Sequence, residues 1–180
     1  MDNPQAESFS NGVTARVKSM SSASKPVESR DTSIDEVTFA RFADHYLFAD
    51  PDFLLARARA VNAARALPYF SEYGLSAGTY FLLALTCADA SPSVAELSQI
   101  LLISDVEAEL LIDELERLFL VARRPDPRSK NAIVIKATPQ GEELFGTARE
   151  ALLTMEHDPM AALSLAERKQ LTELLARIAF

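Results

Sequence analysis

The chain is predicted to be mainly α-helical with one small β-hairpin. Three observations carry that prediction. Ser-x-x-Glu patterns open apolar stretches at Ser33, Ser104 and Ser164, the arrangement in which a serine and a glutamate cap each other at a helix start. Behind them, apolar residues recur at three- and four-residue intervals, the period of one helix face. Two short apolar runs, Leu120-Val121-Ala122-Arg123 and Ala132-Ile133-Val134-Ile135, flank a polar loop from Pro125 to Asn131 with a Pro-Asp-Pro turn signal.

Composition sets the outer bounds. The chain has 180 residues, 48% hydrophobic and 24% charged, enough for one domain with a proper core. Its single cysteine excludes an intramolecular disulfide and a cysteine-based zinc site, and fits a reducing compartment such as the cytoplasm. The longest apolar stretch, Tyr80 to Ala88, is interrupted by Thr86 and is too short to cross a membrane. No apolar export signal opens the sequence. The net charge of −8 argues against non-specific binding to nucleic acid or anionic membranes.

Residues 1–33 carry eight serines and few large apolar side chains, so a disordered Ser-rich tail is expected there. From Ser33, with Glu36 completing a capping box, Val37, Phe39, Phe42 and Tyr46 suggest a short helix ending before Asp50. A long helix follows from Pro51 behind the N-cap candidate Asp50, with Pro68 expected to kink or end it and Gly74 to close the turn. Ser76 to Thr86 reads as a buried helix, Ser93 to Leu102 as another. Ser104 starts a third, with Ala108, Leu111, Ile112, Leu115 and Leu118 on its inner face. The hairpin comes next, then helices from Pro139 to Met155 and from Ser164 to Ala179.

Helix, helix, hairpin is the order of a winged helix-turn-helix. The helix after Ser104 would be its recognition helix and Pro125–Asn131 its wing. Terminal helices with apolar faces need a partner surface, most economically a second copy of the chain. The expected organisation is the tail at 1–33 and a folded region at 34–180. Within it, helices at 34–74 and 139–180 serve dimerisation and flank a winged helix-turn-helix at 75–138.

Several segments then form a series. Leu75-Ser76-Ala77-Gly78-Thr79-Tyr80 opens it, followed by Glu96-Leu97-Ser98 and Asp113-Glu114-Leu115-Glu116 before Leu120-Val121. The wing entrance Arg124-Pro125-Asp126-Pro127 and the exit Ile135-Lys136-Ala137-Thr138-Pro139-Gln140-Gly141 come next. Leu163-Ser164-Leu165-Ala166-Glu167 and Leu171-Thr172-Glu173-Leu174-Leu175 end it. In this order and spacing, from about Asp50 to Phe180, the sequence resembles the MarR family of bacterial regulators, named for multiple antibiotic resistance. The resemblance implies a cytoplasmic homodimer whose recognition helices enter successive major grooves of a near-palindromic operator. It also implies a ligand or redox input where dimerisation and DNA-binding parts meet.

The residues depart from the family where DNA would lie. The family's recognition helix is usually rich in Ser, Thr and Arg at its start. Here residues 105–117 hold six acids and one base. Asp105 and Glu107 favour the helix dipole, and Asp113 and Glu116 fit the family pattern. Glu109 and Glu114 have neither role. With Val106, Glu109, Leu110, Asp113 and Glu114 as its outward or leading residues, this helix reads as a poor DNA reader, because carboxylates facing phosphates repel. The wing differs too: Ser129 and Asn131 stand where the family has an Asp-x-Arg tip. Yet Arg123, Arg124, Arg128, Lys130 and Lys136 against Asp126 leave the hairpin at +4. A solvated hairpin and a phosphate contact both fit. Phe119 occupies a turn position where the family usually has glycine, so the turn is expected to be altered or Phe119 to pack against something. An exposed aromatic there would suit a protein partner.

Other chemistry is scarce. Cys87 reads as a buried, inert thiol. His45 and His157 are too few and too far apart for a metal site, Glu156-His157-Asp158 reads as a solvated loop, and no metal or cofactor is expected. No nucleophile–base pair, phosphate loop or paired carboxylate suggests an enzyme. Tyr46, Phe53, Arg57, Arg65, Tyr69, Tyr73 and Tyr80 form a candidate pocket in which Arg57 or Arg65 would receive a small aromatic carboxylate. Two functions stay open: a dimeric DNA-binding regulator tuned by a small ligand, and a protein of the same fold that has lost operator reading and works through protein contacts.

Overall fold

A computed structural model describes residues 34–87, 90–126, 129, 132–154 and 159–180. The expectations for the Ser-rich tail, for Arg128, Lys130 and Asn131 at the wing tip, and for Glu156-His157-Asp158 lie outside the described residues. The chain divides into two units. One holds residues 66–152, and the other residues 34–65 and 153–180.

The first unit begins with the C-terminal part of the long helix α2, Pro51–Glu72, which spans the division. Of the two outcomes expected at Pro68, a kink or an end, the second does not occur: Pro68 lies inside α2. A proline removes one backbone donor, but the helix continues for another turn to Glu72 and closes only where Gly74 takes φ +66°. Helix α3, Ala77–Thr86, is capped by Ser76, whose hydroxyl accepts from Thr79 N while the Thr79 hydroxyl accepts from Ser76 N. Helix α4, Val94–Leu101, and helix α5, Asp105–Arg117, are each opened by a complete Ser–Glu capping box, Ser93 with Glu96 and Ser104 with Glu107. The helices α3, α4 and α5 pack around Leu82, Leu83, Leu97, Ile112 and Leu115, all fully buried.

The hairpin pairs β1, Val121–Pro125, with β2, Ile133–Ala137, antiparallel with Arg123 opposite Ile135. Both strands sit slightly later than the apolar runs suggested, because Leu120 is held in the turn before β1 and Lys136 and Ala137 complete the ladder. Ile135 N also donates to Pro92 O at 2.8 Å, tying the hairpin to the segment before α4. Helix α6, Pro139–Leu153, follows directly. Its Gly141 lies so close to Leu120 that an added Cβ would sit 2.0 Å from the Leu120 carbonyl oxygen. The Thr138 hydroxyl holds this junction, donating to Phe119 O at 2.7 Å and accepting from Gly141 N at 3.0 Å.

The second unit holds α1, Glu36–Phe42, a 3₁₀ turn at Tyr46–Ala49, the first part of α2, a second 3₁₀ turn at Pro159–Ala162 and α7, Leu165–Ala179. The N-cap of α1 is Asp35 rather than Ser33. Its carboxylate accepts from both the backbone N–H (2.8 Å) and the hydroxyl (2.7 Å) of Thr38, two donors that a serine hydroxyl would not hold together. Asp50 caps α2 as expected, accepting from Phe53 N at 2.8 Å. Ser164 and Glu167 cap α7 reciprocally. Neither α1 nor α7 has a buried residue.

Candidate nucleic-acid interface

The winged unit presents α5 and the hairpin as adjacent elements. Its capping box fixes the start of α5, and a hydrogen bond from the Ser98 hydroxyl to the Asp105 carboxylate joins α4 to that first turn. Glu107 is held below its ordinary carboxylate range, chiefly by the Ser104 backbone N–H and then by the Ser104 hydroxyl. These two acids are therefore committed to the helix start. Ala108, Ile112 and Leu115 face inward with no exposure, while Val106 and Leu110 face outward.

Arg123 changes the electrostatic reading of this surface. Its guanidinium, on β1, donates to Glu109 (2.8 Å), Asp113 (2.9 Å) and Glu116 (3.1 Å), all on α5. Its backbone N–H also donates to Glu116, at 3.2 Å. The spacing explains the arrangement: positions 109, 113 and 116 are four and three residues apart, so their carboxylates line one edge of the helix beside β1. The hydrogen bond to Glu109 foremost, and then that to Glu116, push the Arg123 pKa further up. Sequence reasoning assigned Arg123 to the wing's outward charge and left Glu109 without a role. The structure joins them inside the fold. The Glu-x-x-x-Asp-x-x-Glu spacing facing a single strand arginine was the signal available for this.

Two other wing cations stand differently. Arg124 and Lys136 are exposed, and the register makes them diagonal neighbours on the hairpin face opposite Arg123. Of the remaining α5 residues, Asp113 is exposed and Glu114 half-buried.

Phe119 neither alters the turn nor packs inward. It takes the left-handed φ of +59° that the turn requires, with 74% of its surface exposed. The turn is enforced by backbone bonds from Phe119 N to Glu116 O and from Leu120 N to Leu115 O, both 2.9 Å, together with the Thr138 contact. Phe119, Asp113, Glu116 and Arg117 line a shallow open depression. Leu102 repeats the pattern after α4, with φ +53° and 89% exposure. Sequence analysis did not single it out, although a leucine where a helix needs a left-handed cap was a visible irregularity.

The aromatic pocket candidates fall in both units. Tyr46, Phe53, Arg57 and Arg65 belong to the second, where Phe53 joins Phe48 and Phe39 in a chain of ring contacts and Tyr46 is exposed against His45. Tyr69, Tyr73 and Tyr80 belong to the first. There Tyr80 packs against Phe70, Phe81 and Phe145, and burial raises the phenol pKa of both Tyr73 and Tyr80. Cys87 is half-buried, and burial and then the Glu142 charge push its pKa up to about 11, which disfavours the thiolate.

The fold and this surface define a winged helix-turn-helix protein. No protein-family model matches the sequence, and no curated protein matches it either. Solved structures do match. A MarR-family transcriptional regulator from Rhodococcus sp. RHA1 is 25% identical, with a TM-score of 0.69 over 76% of this chain and 97% of that one. CouR from Rhodococcus jostii RHA1, bound to p-coumaroyl-CoA, is 24% identical, with a TM-score of 0.71 over 76% and 96%. A mutant MarR from E. coli complexed with operator DNA is 20% identical, with a TM-score of 0.62 over 75% and 98%. The chain has the MarR-family winged-helix fold, mainly α with its one small hairpin.

Proposed function

We propose that this chain is a transcriptional regulator of the MarR type that binds DNA as a cytoplasmic homodimer and answers to a small ligand. The observation that carries the DNA reading is the Arg123 network. It draws Glu109, Asp113 and Glu116 to the base of the wing, while Arg124 and Lys136 project from the opposite hairpin face. The acidity of α5 is thus partly neutralised within the fold, and phosphate contact falls to the wing. Arg128 and Lys130 extend the same basic strip in sequence. Two of the similar structures, a mutant MarR complexed with operator DNA and CouR bound to p-coumaroyl-CoA, support the class.

The dimer reading rests on α1 and α7, which bury nothing while Phe39, Phe42, Leu174 and Ile178 stand exposed. Residues 34–74 and 139–180 supply the dimer contacts in this reading, and residues 75–138 the DNA contacts. The ligand reading rests on the sequence, in which Arg57 and Arg65 lie among aromatic residues of a kind suited to a small aromatic carboxylate. A polarisation titration against the protein's own upstream DNA, with light scattering of the complex, tests this. Saturable binding by two protomers, tight at low salt, is expected. No binding at low salt would sink it.

One observation favours a second reading. Leu102, Val106, Leu110 and Phe119 are all large, apolar and more than 60% exposed on or beside α5. Apolar and acidic together, such a surface suits a protein partner better than a phosphate backbone. Under this reading the fold is retained, operator recognition is lost, and α5 is the docking element.

A further inference from the structure

Val106 and Leu110 stand one turn apart on α5, 70% and 64% exposed, and form an apolar ridge on its outward face. They lie in the first two turns, the part of a recognition helix that meets base edges in the major groove. The polar side chains around them have other partners. Asp105 accepts from the Ser98 hydroxyl, Glu107 from Ser104, and Glu109 from Arg123. The Ser104 hydroxyl is itself part of the capping box. What this stretch offers a base is therefore hydrocarbon.

Hydrocarbon can read one feature of the major groove. Thymine carries a C5-methyl group there, while the other bases present hydrogen-bond donors and acceptors. A branched aliphatic side chain pressed on that methyl removes apolar surface from water on both sides. Pressed on an amino or carbonyl edge it would desolvate a polar group and offer it no partner. Such a contact selects sequence without attracting phosphate, and attraction is what Arg124 and Lys136 on the hairpin supply. Helix and hairpin thus divide the work that recognition needs.

We propose that Val106 and Leu110 read thymine methyl groups in the major groove, so that thymines beneath α5 select the operator. The inference rests on the DNA-binding reading and deepens it. The test compares two duplexes of the protein's own upstream DNA, one with thymine and one with uracil at every such position, which pairs identically but lacks the methyl. Polarisation titrations of the full chain at two salt concentrations read both. One buried methyl is worth about fourfold in affinity, so two such contacts per protomer should make the wild type prefer the thymine duplex by at least about tenfold. The salt slope should be equal on the two duplexes, since no phosphate contact is lost. V106S/L110S should bind the thymine duplex more weakly by a similar factor and lose the preference. Both side chains lie in solvent, so its urea midpoint should stay close to that of the wild type, which reports an intact fold. R124A/K136A should do the converse, with a shallower slope and the preference kept. Equal wild-type affinity for the two duplexes would overturn this proposal and leave the wing's phosphate contact standing. A preference that survives V106S/L110S would overturn it too, by placing the methyl contact elsewhere. No binding to either duplex at low salt would remove the DNA reading and this inference with it, and leave the ridge to a protein partner.

Discussion

Arg123 sits on a strand, 33% exposed at its side chain, and holds three carboxylates of the neighbouring helix. Each contact is screened by solvent, since Glu109 and Asp113 are 44% and 62% exposed, so the pairs are individually weak. Together, with the fork geometry that only arginine offers, they are expected to contribute about 1–2 kcal/mol. Urea unfolding of Arg123→Met should show a loss of that size, and Arg123→Lys should recover little of it. Phe119 makes the opposite prediction. An L-residue in the left-handed region costs about 1–2 kcal/mol, offset in part by the extra freedom glycine has when unfolded. Phe119→Gly should therefore raise stability by about 0.5–1 kcal/mol, seen as a higher urea midpoint with an unchanged slope. A loss of stability would mean that the exposed ring makes contacts the fold depends on. Neither feature was fully legible beforehand: glycine's absence at 119 was visible, but which way the turn would yield depends on Thr138, nineteen residues away.

At the scale of elements, the caps were the clearest signal in the sequence. Ser104–Glu107 and Ser164–Glu167 form as the pattern implied, because a capping box is local and needs only four residues. Glu167 is lowered by the Ser164 hydroxyl and then its backbone N–H, as Glu107 is by Ser104. Both folded pKa values lie below the ordinary 4.5, so the stability these caps contribute is complete above about pH 4.5 and is lost as pH falls through the folded values. In E107Q/E167Q the acid side of the stability profile should become shallower while the neutral side stays level. Strand boundaries and the course of α2 past Pro68 were harder to read, because they depend on the packing of distant residues rather than on neighbours. The junction of β1 and α6 belongs to that class. Gly141→Ala would place a methyl group against the Leu120 carbonyl, where backbone cannot yield cheaply, and should cost about 3 kcal/mol or more in thermal or urea unfolding.

For the whole molecule, the net charge of −8 is a poor guide until it is placed. Six acids lie between Asp105 and Arg117, yet three are held by Arg123 and two serve the start of α5. Sequence alone located the acids on the recognition helix and spaced three of them along one edge; that Arg123, seven to fourteen residues away, would lie beside that edge depends on how the strand packs against the helix. The account therefore rests on the wing as the element that meets phosphate. The direct test is the salt dependence of binding to the protein's upstream DNA, measured for the wild type and for R124A/K136A. Each phosphate contact contributes about 0.9 to the slope of log affinity against log salt. The double variant should bind more weakly and with a slope shallower by about that amount for each cation removed. An unchanged affinity and slope would contradict the account and move the functional surface to the apolar ridge of α5.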